Sequence, residues 1–225
     1  PLVTYPCGEG GGADLGFFGG VRRSEDFQKM KEIRDRLIEL FRSKSLQVGR
    51  FRLTSGLTSN YYFDAKRTTL DPEGAYLCAK LILEEMKHHS IGAEAIGGLT
   101  LGADPVVAAV SAISFAEKHH YRPISAFIVR KEPKPHGTQA YIEGFNASGS
   151  QVVVLDDVCT TGSSTRQAIQ RVEEVGYRVV AVIALVDREQ GGKENLSDYR
   201  FLPLLTASEL LDDPKIQDQL AKLTG

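Results

Sequence analysis

The chain has no tryptophan, two methionines and three cysteines in 225 residues. Cys7, Cys78 and Cys159 are odd in number, far apart and without a CxxC pair. That argues against a disulfide framework and a cysteine-based zinc site, and it fits a reducing compartment such as the cytoplasm. Each reads as a small apolar residue. An excess of one charge is also missing. Lys plus Arg is 27 and Asp plus Glu is 29, a formal net charge of −2. The chain therefore does not grip nucleic acid through bulk charge, and no helix-turn-helix segment or basic face suggests a nucleic-acid partner. No apolar run approaches the ~18–20 residues of a membrane helix. The N-terminus lacks the basic-then-apolar order of a signal peptide, so neither membrane nor export is expected. Internal repeats and interdomain linkers are absent as well. At roughly 100–200 residues per domain, the length predicts one domain with a short appendage.

The appendage is the glycine-rich start. PLVTYPCGEGGGADLGFFGG holds seven glycines and two prolines, loses much entropy on ordering and has little to bury. Residues 1–24 read as a flexible extension and residues 25–225 as the folded domain. Phe27, Met30, Ile33, Leu37, Ile38 and Phe41 recur at helical spacing. Phe51 to Leu53 and Asn60 to Phe63 read as a strand pair. Asp71-Pro72 and Asp104-Pro105 read as helix caps with a following proline. His88 and His89 close a helix as solvated residues favoured by its dipole. From Ala95 onward strands alternate with helices: Ile124 to Val129, Val152 to Leu155 and Val179 to Val186 are apolar runs, with a short strand near Phe201. This order predicts right-handed βαβ units and an open, mostly parallel sheet flanked by helices. Ligands of such sheets bind beyond the carboxyl ends of the strands.

Chemistry concentrates in Gln151 to Ser164, QVVVLDDVCTTGSS. Four buried apolar residues end in Asp156 and Asp157, which period-two alternation aims at opposite faces. Thr160, Thr161, Gly162, Ser163 and Ser164 follow, and a helix starts at once. Successive backbone N–H groups and hydroxyls at a helix N-terminus make a phosphate cradle. An acid pair beside it suits a sugar phosphate, whose hydroxyls the carboxylates accept. The run contains neither GxxxxGK[ST] nor GxGxxG. A second segment, Arg130 to Gly144, carries Arg130, Lys131, Lys134 and His136, broken by Pro133 and Pro135. The prolines forbid a helix or a central strand. A long basic loop at a ligand edge suits an anionic leaving group.

The 151–164 run resembles the phosphoribosyl-pyrophosphate (PRPP) binding motif of the type I phosphoribosyltransferases. The Arg-Lys-Glu-x-Lys-x-His-Gly string resembles the catalytic loop of the orotate branch of that family, and adenine and hypoxanthine members do not carry it. Phe51 to Gly56 with Ser59 to Phe63 resembles the entry strands of the orotate pocket. Gly97 to Pro105 resembles a pyrophosphate-side turn, and Leu185 to Gly192 a segment whose arginine faces the orotate carboxylate.

The resemblance implies transfer of the phosphoribosyl group from PRPP to orotate in pyrimidine synthesis, with Mg²⁺ held mainly by PRPP and water. It implies a Rossmann-like type I fold with a small hood made of N-terminal strands and C-terminal elements. Lys134, His136, Asp156 and Asp157 would be catalytic. Arg130, Lys131 and the stretch Val158, Cys159, Thr160, Thr161, Gly162, Ser163 and Ser164 would join them in binding PRPP. Tyr62, Phe63, Thr160 and Arg188 would bind orotate. The partners implied are PRPP, orotate and a second copy, in a homodimer with shared active sites. Two family lysines are missing, at Thr54 and in the Leu101-Gly102-Ala103 turn, with Lys66 or Arg67 as candidate replacements. The alternatives are a purine-specific relative and a non-catalytic PRPP-sensing regulator. The length leaves no room for a fused decarboxylase barrel.

Overall fold

The two most apolar runs of the sequence lie side by side at the heart of the sheet. These are β6 (Gln151–Cys159) and β7 (Arg178–Asp187), paired in parallel. Being covered on both faces, they need no polar alternation. The protein is described here by a computed structural model covering residues 19–52, 58–133 and 141–224, with side chains described from residue 28 to residue 223 of those stretches. The other strands of this sheet are β3 (Ala95–Leu99), β4 (Ser125–Val129), β5 (Ile142–Gly144) and β8 (Phe201–Thr206). Their order is β5-β4-β3-β6-β7-β8. All neighbours are parallel except β5, which returns antiparallel along β4. The mostly parallel, helix-flanked sheet expected from the strand–helix alternation is present.

Helices α3 (Pro72–His88) and α4 (Asp104–Ala116) cover one face. Their apolar stripe meets Ile96, Val153, Leu155 and Ile183 in the larger of two buried clusters. Helix α5 (Ser163–Glu174) covers the other face through Ala168, Ile169 and Val172. Asp71 caps α3 as expected, its carboxylate accepting from the N–H groups of Glu73 and Gly74. Asp104 does not cap α4. It is already helical, Ala103 precedes it as the cap residue, and the Asp104 carboxylate instead accepts from the Thr100 hydroxyl at 2.7 Å. His89 lies 3.3 Å from Glu85 on its own helix, and no metal-ligating cluster forms among the described residues.

A separate two-stranded sheet, β1 (Leu46–Arg52) with β2 (Thr58–Phe63), forms the hood. Helix α1 (Gly19–Leu40) leads into it through a wider helical turn, Phe41–Ser45. This helix begins ahead of the expected start near Ser24, and the glycine-rich residues before Gly19 lie outside the described stretches. The rest of the hood comes from the far end of the chain. Arg42 donates to the carbonyls of Glu209 (2.8 Å), Leu210 (3.1 Å) and Asp212 (2.6 Å) around α7 (Ala207–Leu211). Arg50 donates to Leu223 O (3.0 Å) in α8 (Pro214–Thr224).

The backbone of β3 lies against β6 with no room to spare. A Cβ at Gly98 would stand 2.0 Å from Leu155 O and 2.7 Å from the Ala103 Cβ. Gly98→Ala is therefore expected to push β3 away from β6 and to lower stability by about 1–3 kcal/mol, as overpacking does. Urea unfolding checks this, with an unchanged m-value expected.

Candidate active site

The acids do not end their strand. Strand β6 continues four residues past Leu155, because β7 runs beside it, pairing Asp156 with Ala184 and Cys159 with Asp187. The expected strand end at Leu155 is thus corrected to Cys159. Alternation still sends the two carboxylates to opposite faces. Asp156 turns toward α5, where the hydroxyls of Thr165 (2.5 Å) and Ser164 (3.4 Å) donate to it. Asp157 turns toward the loop after β3. A Cβ at Gly102 would meet its Oδ1 at 2.2 Å, so the loop comes this close only with glycine there.

Burial pushes both carboxyls above the usual range. For Asp156, desolvation outweighs the Thr165, Ser164 and backbone donors. For Asp157, desolvation acts first and the neighbouring Asp156 charge adds to it, while Lys66 pulls the other way.

Between β6 and α5 the chain turns through Gly162, the cap residue of α5, at φ 76°. A side chain there would be strained by that φ and would meet Leu196 at 3.1 Å. The turn aims the first N–H groups of α5, which have no intrahelical acceptors, at the space above the sheet. A short helix, α6 (Gly192–Asn195), braces the turn: Asn195 donates to Thr161 O (2.8 Å) and accepts from Arg166 at its own carbonyl (2.5 Å).

A cleft of about 1030 Å³ opens over this turn and under the hood. Its walls include Tyr62, Phe63, Asp157, Val158, Arg188 and every residue from Thr160 to Ser164. Asp156 and Cys159 are not in the wall. Asp156 stands behind it, and the fully buried Cys159 lies under Gly192, where a Cβ would meet its sulfur at 2.6 Å. Burial lifts the Cys78 thiol to about 12, and burial with the Asp156 and Asp187 charges lifts the Cys159 thiol to about 12, so both are inert.

Arg188 is the most unusual group in the cleft. It is only 7% exposed, yet its Nε makes no hydrogen bond. Its one side-chain partner among the described residues is the Ser59 hydroxyl at a long 3.4 Å, and the guanidinium carbon stands 5.0 Å from the Tyr61 ring. A buried guanidinium with an idle donor and no carboxylate partner is a place for an anion.

Chains of known function carry the same parts. The phosphoribosyl transferase domain family matches residues 124–218. The orotate phosphoribosyltransferase from Aquifex aeolicus (strain VF5) is 46% identical over 180 residues, 79% of this chain and 95% of that one. The chain belongs to the orotate phosphoribosyltransferase family. The Synechocystis sp. orotate phosphoribosyltransferase is 47% identical over 166 residues, covering 73% of this chain and 81% of that one. The crystal structure of Mycobacterium tuberculosis H37Rv orotate phosphoribosyltransferase in complex with PRPP superposes with a TM-score of 0.65 at 37% identity, covering 79% of this chain and 98% of that one.

The family's basic loop is only partly in view. Lys134 and His136 lie outside the described residues, as does Thr54. Arg130 and Lys131 stand at the neck of the loop rather than in the cleft wall: Arg130 pairs with Glu143 at 3.4 Å and its N–H donates to Tyr141 O at 2.8 Å. Sequence reasoning missed the residue that holds this neck. Arg171 on α5 donates to the carbonyls of Arg130 and Lys131, and its guanidinium lies 4.3 Å from the Tyr141 ring centre. No motif marks it, since a half-buried helical arginine is ordinary. Phe51 and Arg52, within the segment that resembles the entry strands, line the cleft, as do Gln47 and Ala65, which carry no local signal. Thr165 was legible in principle, one residue beyond the hydroxyl run and facing back toward the strand.

A carboxyl raised by burial binds more protons folded than unfolded, so stability falls as pH rises from the unfolded value near 3.9 through the folded one. Asp157→Asn removes that cost. The variant should melt higher than the unliganded wild type above the folded pKa, with the gap closing below about pH 3.9, while its PRPP binding falls. Melting curves across pH and titration with PRPP check the two halves.

Proposed function

We propose that the cleft holds PRPP with its 5′-phosphate in the Thr160–Ser164 cradle and its ribose hydroxyls on Asp157 and, behind it, Asp156. Orotate lies under the hood beside Tyr62, Phe63 and Thr160, with its carboxylate on Arg188. The chain transfers the phosphoribosyl group of PRPP to orotate, giving orotidine 5′-monophosphate (OMP) and pyrophosphate. The observation that carries the binding mode is Arg188, buried and with an idle Nε at the hood side of the cleft. A planar carboxylate fits a guanidinium fork, and a neutral purine would leave that charge uncompensated.

In this arrangement the bond from C1 of the ribose to pyrophosphate breaks as a ring nitrogen of orotate bonds to C1 and gives up its N–H proton to the departing pyrophosphate or to water. Positive charge grows on the ribose and negative charge on the leaving group. The protein contributes orientation and fixed charge rather than a nucleophile. Asp157 and Asp156 offset the ribose charge. Lys134, with Lys131 and Arg130, offsets the leaving charge, and His136 donates a hydrogen bond or proton to it. Magnesium fits the donors available. The carboxylates at the cleft are hard oxygens, and no three metal-ligating side chains converge among the described residues, so PRPP oxygens and water would hold the ion. When bound, it supplies charge neutralisation on the pyrophosphate.

Two tests bear on this. The first is PRPP-dependent loss of orotate, assayed beside uracil, adenine and hypoxanthine. Orotate alone should be consumed. Turnover of a purine would move the chain to that branch, and no turnover of any base would favour a PRPP-sensing regulator. In the same assay Arg188→Lys should raise the orotate KM roughly tenfold or more while the PRPP KM stays close to wild type, since lysine cannot make the two-bond contact. Equal rises in both constants would remove Arg188 from the orotate site.

We further propose that the protein works as a symmetric homodimer in which each subunit's basic loop serves its neighbour's cradle. Inactive Lys134→Ala and Asp157→Ala proteins, mixed under conditions of subunit exchange, should then recover activity. One site of each heterodimer collects both lesions and the other none, so up to half of the wild-type value returns. A mixture that stays inactive would assign each loop to its own subunit.

A further inference from the structure

The proposed anion in this cleft is large, and among the described residues the wall offers it few cations. Apart from Arg188, which faces the hood, the described cationic residues lining the cleft are Arg52 and Lys66. Lys66 begins α2 (Lys66–Thr69), the short helix that follows the hood strand β2. Its ammonium is about half exposed and stands 3.0 Å from Asp64 Oδ1. The approach is off the hydrogen-bonding direction, for Asp64 Oδ1 is buried and makes no acceptable hydrogen bond. The ion pair with Asp64, and more weakly Asp157 and Tyr62, raise the Lys66 pKa, so the group stays charged. Its neighbour is placed differently. Arg67 turns toward Lys44 O at 3.5 Å and does not line the cleft.

Asp157 fixes what Lys66 can reach. The loop side of Asp157 is closed by Gly102, where no side chain fits while the carboxylate stays in place. A cation for this end of the cleft therefore does not come from position 102, and among the described residues the one near Asp157 stands on the hood side. Lys66 is the cationic side chain that acts on Asp157 from there.

We propose that Lys66 is a substrate-binding residue whose ammonium holds the ribose–pyrophosphate end of PRPP from the hood side of the cleft, opposite the 5′-phosphate cradle. This rests on the PRPP reading of the cleft. It names a contact for the leaving group that does not depend on the basic loop.

The test compares Lys66→Met, Lys66→Arg and Arg67→Met. Ligands with and without the pyrophosphate separate the ends of the site. Lys66→Met should raise the PRPP KM and the inhibition constant of inorganic pyrophosphate roughly tenfold to a hundredfold, the loss of one charged contact. The orotate KM and the dissociation constant of OMP, which has the 5′-phosphate but no pyrophosphate, should stay within about threefold of wild type, below what losing such a contact costs. Lys66→Arg should recover most of the PRPP affinity, and Arg67→Met should behave as wild type. An unchanged PRPP KM in Lys66→Met would overturn the proposal. So would equal weakening of PRPP and OMP, which would put Lys66 at the 5′-phosphate or in the general fold, or an equal loss in Arg67→Met. Failure of the wild type itself to consume orotate with PRPP would fault the reading of the cleft instead.

Discussion

Two carboxylates partly withdrawn from water in the last third of the central strand are the constraint to which the rest of the site answers. Strand β6 is apolar because it is sandwiched, and it carries Asp156 and Asp157 on with it beside β7. Their charge is costly there. The protein offsets it unevenly. Asp156 receives two hydroxyls from the first turn of α5, while Asp157 has a like charge beside it and a single lysine across the cleft. The free protein is left with an unmet demand for donors at one spot. In the proposed complex, ribose hydroxyls would meet that demand with their own O–H groups, and their binding would relieve a cost already present. Such arrangement in advance is how an enzyme stabilises developing charge without reorganising at the moment of reaction.

Arg188 presents the same logic with opposite sign. Its guanidinium is sunk beneath the hood against Tyr61, with an idle donor. The cleft therefore carries a buried negative end over β6 and a buried positive end below β2. A ligand pair made of a sugar destined to become cationic and a planar anionic base matches both ends in one orientation. Reversed, it would set like charges against each other. Polarity along the cleft selects the direction of binding before any shape does.

The sheet was legible because burial writes itself into β6 and β7 as unbroken apolar runs and into α3 as a stripe. The turn from β6 into α5 was legible because glycine and hydroxyl residues in consecutive positions, Thr160 to Ser164, break the strand and open a helix. What escaped was set by distant partners. The true length of β6 depends on β7 beside it. Asp104 does not cap α4 because its carboxylate accepts from the Thr100 hydroxyl instead. Arg171 holds the neck of the basic loop across about forty residues of sequence. The difference between Lys66 and Arg67 is one of direction on the first turn of a short helix, which composition cannot encode. Lys134 and His136, the loop residues most plainly marked in sequence, are the ones the described structure leaves aside.

The hood joins the two extremes of the chain. Arg42 clasps three carbonyls around α7, and Arg34 pairs with Glu209 at 2.5 Å in the same place. During synthesis, β1 and β2 emerge early, but the carbonyls that Arg42 and Arg50 clasp follow only after residue 208. The Thr160–Ser164 turn and strands β3 to β7 precede that segment. The wall carrying Tyr62 and Phe63, proposed to hold the base, is thus anchored by a segment translated after the cradle and closes later than it. Loss of that segment by proteolysis would loosen the base pocket while leaving the cradle on an intact sheet, separating in time and in damage two halves of a site that work as one.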